Sequence, residues 1–438
     1  METYVFRGEA KLTIGIPEAN GGAGAVVTLA RTKGESSWRL VQTLTLPGAR
    51  YGDDFGRSLR LASLGTGGTG MFVGVPGFDI GVNTADQKMN AGAVALYVLG
   101  NNDLWTWKAT FTAPNAGQGD EFGTSLAVVV DTPPSSPSTR EPGIAVGAPF
   151  EDSPAQGVFR ADALATVGGD AAADADYGAV YTLVRNSATG AFEWASYIKS
   201  DRPTESAYFG YALGGSYFGD RLAVGAPGAS RLPEAPYGGS VNVFHLGGQW
   251  VSNVVAASTS PNAKPLTSSF GSVVSLSRTG QTLAIGEPEA DIGLATSAGR
   301  VHVWAYGGSG WQYSAMLNAT QPTSRERFGK TLLALDDKLW VGAPENNSAF
   351  AGVQRKDQVA AEAGGSVGGA GAVYQFWRSS SGWDLWARLK SPSPIANENF
   401  GRSIAYSDAI GYTYTVVGAD APSAPISTGT TKGRFYTY

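Results

Sequence analysis

The 438-residue sequence predicts an all-β protein, a seven-bladed β-propeller made of four-stranded antiparallel blades. Three observations carry this prediction. The dipeptide Phe-Gly recurs six times, each copy is followed by a short apolar run ending in a Gly-x-Pro-like turn, and no long window has the apolar spacing of a helix. The copies begin at Phe55, Phe122, Phe209, Phe270, Phe328 and Phe400.

The Gly-x-Pro turns stay in register with the Phe-Gly pairs. They begin at Gly74, Gly147, Gly225, Gly286, Gly342 and, in degenerate form, Gly418. A further turn begins at Gly15 without a Phe-Gly pair before it. The chain is therefore predicted to be a single propeller domain of seven units, at about 1–48, 49–115, 116–203, 204–262, 263–322, 323–393 and 394–438.

Each unit predicts four strands in a meander. The first follows Phe-Gly, the second ends in Gly-x-Pro, the third begins with Gly, a small residue and Val, and the fourth carries a tryptophan. One such sheet cannot bury both faces, whereas seven packed around an axis can. We expect the Phe-Gly phenylalanines to fill the wedge between blades, with the fourth-strand tryptophans also packing there: Trp38, Trp107, Trp194, Trp250, Trp311 and Trp383.

The units resemble FG-GAP repeats, the blades of the integrin alpha-chain head and of assorted surface proteins, over essentially the whole chain. The resemblance implies the propeller fold and an extracellular or cell-surface location. Calcium-binding blades of that family carry a DxDxDG-like loop between their first two strands. None of the turns here has three acidic residues at alternate positions, and Asp336-Asp337 comes closest. We therefore expect no integrin-type calcium site, no other metal and no cofactor.

Composition narrows the range of partners. The net charge is −5, the pI is near 5.3, and no Lys/Arg cluster accompanies the aromatic residues. Nucleic acid and anionic membranes are therefore not expected as partners. No run of 18 apolar residues predicts a membrane helix, and no signal peptide is visible. Cysteine is absent, unlike in integrin alpha chains, whose blades carry disulfides.

The loops between second and third strands are the candidate ligand-binding surface. Three are long, at 77–91, 150–177 and 345–371, and long loops on a rigid scaffold often bind ligands. Shortening them is expected to abolish recognition with little loss of stability. The candidate contact residues follow the Gly-x-Pro turns: Glu18, Asn20, Asp79, Glu151, Asp152, Glu289, Asp291, Glu345, Asn346 and Asn347. Equivalent blades would place them around one rim, suited to sugar hydroxyls, cationic groups or a divalent ion, or simply as a hydrated acidic surface.

Catalysis has little support in the sequence. The two histidines, His245 and His302, fall in third-strand patterns, where a structural role is expected. No Ser-His-Asp arrangement, zinc-ligand spacing or phosphate-binding loop is present. We assign no catalytic residue, and a non-enzymatic role is favoured.

Three functions remain open. The first is a recognition or adhesion module that binds a protein or glycan through the long-loop face. The second is a carbohydrate hydrolase or lyase that uses rim carboxylates. The third is a structural subunit of a larger surface assembly, joined through the outer edge of blade seven.

The third hypothesis depends on how the ring closes. The seventh unit ends at its third strand, and the first begins without Phe-Gly. Residues 3–6 are therefore expected to form either the inner strand of blade one, which is favoured, or the outer strand of blade seven. In the first case the edge of blade seven is open to self-association or to completion by another strand.

Overall fold

The protein is a seven-bladed β-propeller in the computed structural model. The structure describes residues 1–35, 37–132, 135, 140–164, 174–229, 238–246, 250–257, 269–359, 365–407, 414–420 and 433–438, with the backbone alone for 251–257. In this part of the chain the only α-helical segments are α1 (Ala19–Gly22) and α2 (Lys356–Val359). Two 3-10 turns, Gly65–Gly67 and Ala161–Ala163, complete the helical structure. The all-β prediction is confirmed.

The strands follow one another through the blades in chain order, each blade being an antiparallel meander. Blade one contains β1 (Glu2–Phe6), β2 (Glu9–Ile16), β3 (Ala25–Thr32) and β4 (Arg39–Leu44). Blade two contains β5 (Leu59–Ser63), β6 (Thr69–Val75), β7 (Ala93–Leu99) and β8 (Trp105–Phe111). Blade three contains β9 (Ser125–Asp131), β10 (Glu141–Ala148), β11 (Val158–Arg160), β12 (Ala179–Arg185) and β13 (Phe192–Ile198).

The remaining four blades repeat this arrangement. Blade four contains β14 (Ala212–Gly215), β15 (Arg221–Ala226), β16 (Ser240–Leu246) and β17 (Trp250–Ala257). Blade five contains β18 (Val273–Leu276), β19 (Thr282–Glu287), β20 (Arg300–Gly307) and β21 (Gly310–Leu317). Blade six contains β22 (Thr331–Ala334), β23 (Lys338–Ala343), β24 (Val353–Arg355), β25 (Ala372–Ser379) and β26 (Gly382–Leu389). Blade seven contains β27 (Ser403–Ser407), β28 (Tyr414–Asp420) and β29 (Gly433–Thr437).

Blades three and six each contain a fifth strand that the sequence did not predict. The strand β11 pairs with the outer strand β13, and β24 pairs with the outer strand β26. Both come from the long loops between the second and third strands. These two loops therefore cross to the outer edge of their own blade, where they cover the outer strand.

The N-terminal segment closes the ring as the inner strand of blade one. The strand β1 pairs antiparallel with β2, with Thr3 opposite Leu12. The hydroxyl of Thr3 donates a hydrogen bond to the carbonyl oxygen of Tyr406 in blade seven, at 2.9 Å. The favoured of the two alternatives for residues 3–6 is confirmed, and in the described residues blade seven has three strands.

The recurring glycines are explained by contacts between blades. A Cβ atom added to Gly147 would lie 2.1 Å from the carbonyl oxygen of Gly210, the Phe-Gly glycine of the next blade. Gly342 and the carbonyl oxygen of Gly401 meet in the same way, at 2.3 Å. Only glycine allows two backbones to approach so closely. The Gly-x-Pro turn of one blade and the Phe-Gly pair of the next are thus two sides of a single junction.

The Phe-Gly phenylalanines are buried, as predicted. Their side chains are at most 1% exposed in all six copies. The tryptophan prediction is correct for most blades but wrong for Trp107, which is 43% exposed. In blade two the buried tryptophan is Trp105, which is 2% exposed and lies edge-on to Tyr4 of blade one at 5.7 Å.

Candidate functional site

The ten predicted contact residues occupy three positions after the proline of the Gly-x-Pro turn. The first position holds Glu18, Glu289 and Glu345; the second holds Glu151 and Asn346; the third holds Asn20, Asp79, Asp152, Asp291 and Asn347. The structure gives each position a different environment.

Side chains at the third position close the loops. Asp79, Asp291 and Asn347 each accept a backbone N–H from the returning end of their own loop at 2.9 Å. Asp152 accepts two, from residues 175 and 176, at 2.7 and 3.0 Å. Asn20 instead donates its amide to the carbonyl oxygen of Gly24 at 3.4 Å. These bonds satisfy loop backbone groups and give the third position a structural role.

The second position is buried in blade three. Glu151, only 1% exposed, forms an ion pair with the ammonium group of Lys199 from the segment after β13. The carboxylate also accepts the hydroxyl of Tyr197 at 2.7 Å and the amide of Asn115 at 3.2 Å. Burial lowers the pKa of Lys199, and the adjacent Glu151 partly opposes that shift. A buried carboxylate with these partners holds the loop against the blade.

In blade six the corresponding residue is a neutral amide. Asn346 donates to Glu326 at 2.8 Å and accepts from the buried ammonium group of Lys390 at 2.9 Å. Glu326 also accepts the hydroxyl of Tyr374 at 2.7 Å. Burial raises the pKa of Glu326, and the bonds from Tyr374 and Asn346 partly oppose the rise. Shortening the whole of loop 150–177 or 345–371 would break such buried bonds. We therefore expect it to lower stability, in contrast to the expectation from the sequence.

First-position glutamates lie nearer the surface and are paired. Glu289 and Glu345, from neighbouring blades, both contact the guanidinium group of Arg327, at 3.0 and 2.6 Å. Glu18 lies 3.9 Å from Arg402. The ten residues therefore form separate clusters, most of them engaged with this chain's own groups. A role for them in ligand binding stays a prediction.

An open pocket of about 800 Å3 lies on the outer edge of blade six. The long loop contributes the end of β24 and the start of α2, and the two outer strands contribute the rest. The lining residues are Arg355, Lys356, Asp357, Trp377, Arg378, Ser379, Asp384, Leu385 and Trp386. Its three cations and two carboxylates give a formal net charge of +1.

Trp377 and Trp386 are stacked in this pocket. Their ring centroids are 4.1 Å apart and their planes differ by 6°. Since each indole covers one face of the other, the cations beside them lie on the outer faces: Lys338 is 5.2 Å from the Trp377 centroid and Arg355 is 5.4 Å from that of Trp386. Each exposed cation–π contact contributes about 0.5–1 kcal/mol. Trp386 remains 40% exposed.

Polar groups at the rim of the pocket are ordered by one carboxylate. Asp384 accepts the hydroxyl of Ser379 at 2.8 Å and forms an ion pair with Lys356 at 3.2 Å. The hydrogen bond from Ser379 and the ammonium group of Lys356 hold the pKa of Asp384 below its usual value. In the part of the chain that the structure describes, neither Arg355 nor Arg378 has a carboxylate partner.

The tryptophan pair is peculiar to blade six. Five blades have a β-bulge at the same point of their outer hairpin, and the extra residue is Val41, Lys108, Ala195, Ser314 or Trp386. On the third strand, the second residue after the register shift is Ala30, Val98, Val184, Ala305 or Trp377. The bulge recurs in these five blades, whereas among them only blade six has tryptophan at both positions.

Sequence reasoning missed this pocket because it treated tryptophan as a once-per-blade core residue. Trp383 does pack with the core cluster of blades five and six. The signal that was present is the second tryptophan in WDLWARLKS and the Trp-Arg-Ser sequence at the end of β25. A surplus aromatic residue beyond the repeat pattern would have marked Trp377 and Trp386.

The propeller axis holds a second cavity, of about 670 Å3. All seven inner strands line it, largely through apolar residues, and an ion pair at 2.9 Å joins Glu2 to Arg60. At one mouth the exposed rings of Tyr217 and Phe218 lie 5.4 Å apart, with Arg278 stacked on Tyr217.

Both histidines have structural partners, as predicted. His245 accepts the indole N–H of Trp311 at 3.3 Å, and burial lowers the pKa of His245. His302 lies 3.0 Å from Glu287, a buried glutamate that replaces the alanine, valine or isoleucine of the other Gly-x-Pro turns. Arg300 contacts the same carboxylate oxygen at 3.1 Å. These residues form a closed internal cluster.

Within the described ranges, no group of three His, Asp or Glu side chains is arranged to hold a metal ion. No helix in that part of the chain has the length and apolar character needed to cross a membrane.

Comparison with known proteins adds a partial similarity. No protein-family model matches the chain. Human integrin alpha-7 is 34% identical over 161 residues, which is 36% of this chain and 12% of that protein. The chain therefore corresponds to a small part of that relative's length. Together with the fold, this defines an integrin-like seven-bladed β-propeller.

Solved structures resemble the chain only distantly. A Lactobacillus plantarum protein is 12% identical, covering 90% of this chain and 86% of its own, with a TM-score of 0.45. The periplasmic gluconolactonase of Pseudomonas aeruginosa is 11% identical with the same coverage and a TM-score of 0.47. At such scores neither protein supports a statement about what this chain binds or catalyses.

Proposed function

We propose that this chain is a non-catalytic recognition module of the FG-GAP type, located outside the cell or at the cell surface, that binds a protein or glycan ligand through its long loops. One observation carries the proposal. The loop of blade six supplies Arg355, Lys356 and Asp357 to an open pocket that also contains the exposed Trp386. Exposed aromatic residues beside arginine are typical of binding surfaces, because a partner that covers them removes apolar surface from water.

The carboxylates near the Gly-x-Pro turns favour recognition over catalysis. Glu151 is buried and forms an ion pair with Lys199. The third-position residues form hydrogen bonds within their own loops, and Glu345 is paired with Arg327. A hydrolase that used rim carboxylates would need two of them aimed at one substrate bond. Most of the residues predicted for that role are engaged with this chain's own groups.

A second candidate function, a structural subunit, is favoured by the edge of blade seven. In the described residues β29 pairs only with β28. A pocket of about 400 Å3 beside it is lined by Trp38, Pro392, Phe435, Tyr436, Thr437 and Tyr438. An unpaired strand edge accepts a further strand, from elsewhere in the polypeptide or from another chain. Concentration-dependent oligomers that Thr437→Lys abolishes would support this function.

The recognition proposal is tested by binding to a glycan array and to a panel of purified extracellular proteins. Wild-type protein is compared with a variant in which Arg355, Lys356 and Arg378 are all changed to Glu. The matched control is Arg160→Glu, because Arg160 ends the fifth strand of blade three as Arg355 ends that of blade six. We expect the blade-six variant to lose the ligand and the control to retain it.

Two results would contradict the proposal. The first is release of products from a polysaccharide panel, which would make the chain an enzyme. The second is a ligand that both variants bind as tightly as the wild type, which would move recognition away from the blade-six loop.

A further inference from the structure

The pocket on blade six has the composition of a sugar-binding site. Small-ligand sites are concave, offer aromatic surface, and fix orientation with a few polar groups. A pyranose ring presents a face of C–H groups and a rim of hydroxyls, which suit an exposed indole and surrounding polar side chains. We propose that the pocket around Trp377 and Trp386 binds an oligosaccharide bearing a carboxylate, such as a uronate or a sialate. This inference rests on the proposed function and names its ligand class.

The tryptophans are not required by the propeller. Blade three has the same fifth strand and the same bulge, and it folds with Val184 and Ala195 at the two positions. In blade six the indoles lie on the outer edge, and Trp386 leaves 40% of its surface exposed. A structural filler would be expected to be buried. The exposed indole of Trp386 therefore has a reason other than folding.

The charges of the pocket favour an acidic sugar over a neutral one. Lys356 is paired with Asp384, which leaves Arg355 and Arg378 without a carboxylate in the described residues. Guanidinium groups bind carboxylates through two parallel hydrogen bonds. Since the chain as a whole is acidic, with a net charge of −5, this local excess of cations is distinctive.

The position of Arg355 strengthens this choice. Its guanidinium lies over the outer face of Trp386 at 5.4 Å, the face on which a sugar ring would stack. A neutral sugar would displace the cation and offer it no compensating partner. A sugar carboxylate would displace it from the ring and then bind it, exchanging an exposed cation–π contact for a stronger charge-assisted hydrogen bond.

The rim can bind sugar hydroxyls. Asp384 lines the pocket and is already oriented by Ser379 at 2.8 Å and Lys356 at 3.2 Å, so it can accept a further hydrogen bond without reorganisation. Asp357 adds a second acceptor at the start of α2. Acceptors beside the cations allow both hydroxyl and carboxylate groups of one ligand to be paired.

The test uses the full chain and matched pairs of oligosaccharides that differ only in the acid group. Glucuronate-ended oligosaccharides are compared with glucose-ended ones, and sialylated with desialylated glycans, by array and by calorimetry. We expect the acidic member of at least one pair to bind at least tenfold more tightly than the neutral one. Higher salt should weaken that binding, since it depends on charge.

Variants locate the site. Trp386→Ala introduces the residue of blade three at the bulge, and Arg355→Ala removes the proposed carboxylate partner; each should weaken binding of the acidic glycan at least tenfold. The matched control is Trp107→Ala, which removes an equally exposed tryptophan from the outer strand of blade two. Thermal midpoints of all three variants should stay within a few degrees of the wild type.

Three outcomes would overturn the inference: equal binding of acidic and neutral members, unchanged binding by Trp386→Ala, or no binding of any acidic glycan. If a purified extracellular protein then bound in a manner that depended on the blade-six cations, the proposed recognition function would stand and only the sugar assignment would fall. If no ligand of either class bound, both would fall.

Discussion

In blade three, a strand at Val158–Arg160 leaves the long loop and runs along the outer strand, and in blade six Val353–Arg355 does the same. A short helical turn follows in both cases. Each blade also buries a lysine from the segment after its outer strand, Lys199 or Lys390. Blades three and six, which are not neighbours in the ring, thus share the same local structure: an extra strand that covers the outer strand, and a buried lysine.

The buried groups around those lysines differ. Lys199 forms an ion pair with Glu151, whereas Lys390 binds the amide oxygen of Asn346. In blade six a carboxylate is still present, at Glu326, but it is one hydrogen bond away from the lysine, with Asn346 between them. The same space therefore accepts either a direct or an amide-bridged arrangement of charge.

The outer faces differ more. At equivalent positions blade three has Val184 and Ala195, and blade six has Trp377 and Trp386. The backbone, its bulge and the buried lysine are therefore common to the two blades. The residues at the two equivalent positions differ in exposure: Val184 and Ala195 are buried in blade three, whereas Trp386 is 40% exposed in blade six, where it is available to a binding site.

Because the two blades share this backbone structure, equivalent core substitutions should lower the free energy of unfolding equally. Phe122→Ala and Phe328→Ala each remove a fully buried ring, and each should lower the free energy of unfolding by about 3–5 kcal/mol. Chemical denaturation measures both. Phe218→Ala, at a position that is 67% exposed, is the control and should change stability by less than about 0.5 kcal/mol. Wild-type stability in either core variant would mean that the junctions are not equivalent.

The buried lysines should separate the blades. Lys199→Met leaves the Glu151 carboxylate buried without its cation and should cost about 3–5 kcal/mol at neutral pH. Lys390→Met removes the hydrogen bonds to two neutral groups, the amide oxygen of Asn346 and the carbonyl oxygen of Ser348, and should cost about 1–3 kcal/mol. Equal losses would show that the amide bridge in blade six transmits the charge of Glu326 as strongly as direct contact does.

Much of the fold could be predicted because its glycines and phenylalanines are forced by backbone approach. Gly147 cannot carry a side chain without meeting the carbonyl oxygen of Gly210, and the motif recurs in the sequence at six of the seven contacts between blades. The fifth strands could not be predicted in this way. Val158–Arg160 and Val353–Arg355 are only three residues long, and nothing in such a short segment specifies which edge it joins.

The candidate site was less predictable for a related reason. Spacing after the proline placed Glu151, Asp152 and Asn346 correctly in the loops, but spacing carries no information on burial. Whether a carboxylate faces solvent or a lysine depends on residues such as Lys199, which lie far along the chain. The pocket of Trp386 depends on a β-bulge, which becomes visible only once strand register is known.

The pH dependence of stability should reveal the blade-six carboxylate. The pKa of Glu326 is raised in the folded state, so between its ordinary value of 4.5 and the raised value the native protein binds more protons than the unfolded chain. The stabilisation is full below pH 4.5 and is lost as pH rises through the raised pKa, by about 1.4 kcal/mol for each pH unit that separates the two pKa values. Glu326→Gln should flatten this decline when thermal midpoints are measured across the acid range, whereas Asp357→Asn, an exposed change in the same blade, should not.

The last prediction replaces the two tryptophans of blade six with the residues that blade three has at the same positions. The double variant Trp377→Val and Trp386→Ala replaces the stacked pair with residues that the same bulge already accommodates in blade three. It removes one aromatic contact, worth about 0.5–1.5 kcal/mol, and two exposed cation–π contacts, worth about 0.5–1 kcal/mol each, so it should lower the free energy of unfolding by about 1.5–3.5 kcal/mol. Chemical denaturation and circular dichroism should therefore report a folded propeller. A loss as large as that of Phe328→Ala would mean that the tryptophans belong to the core of blade six, and that the difference between the two blades is one of folding and not of function.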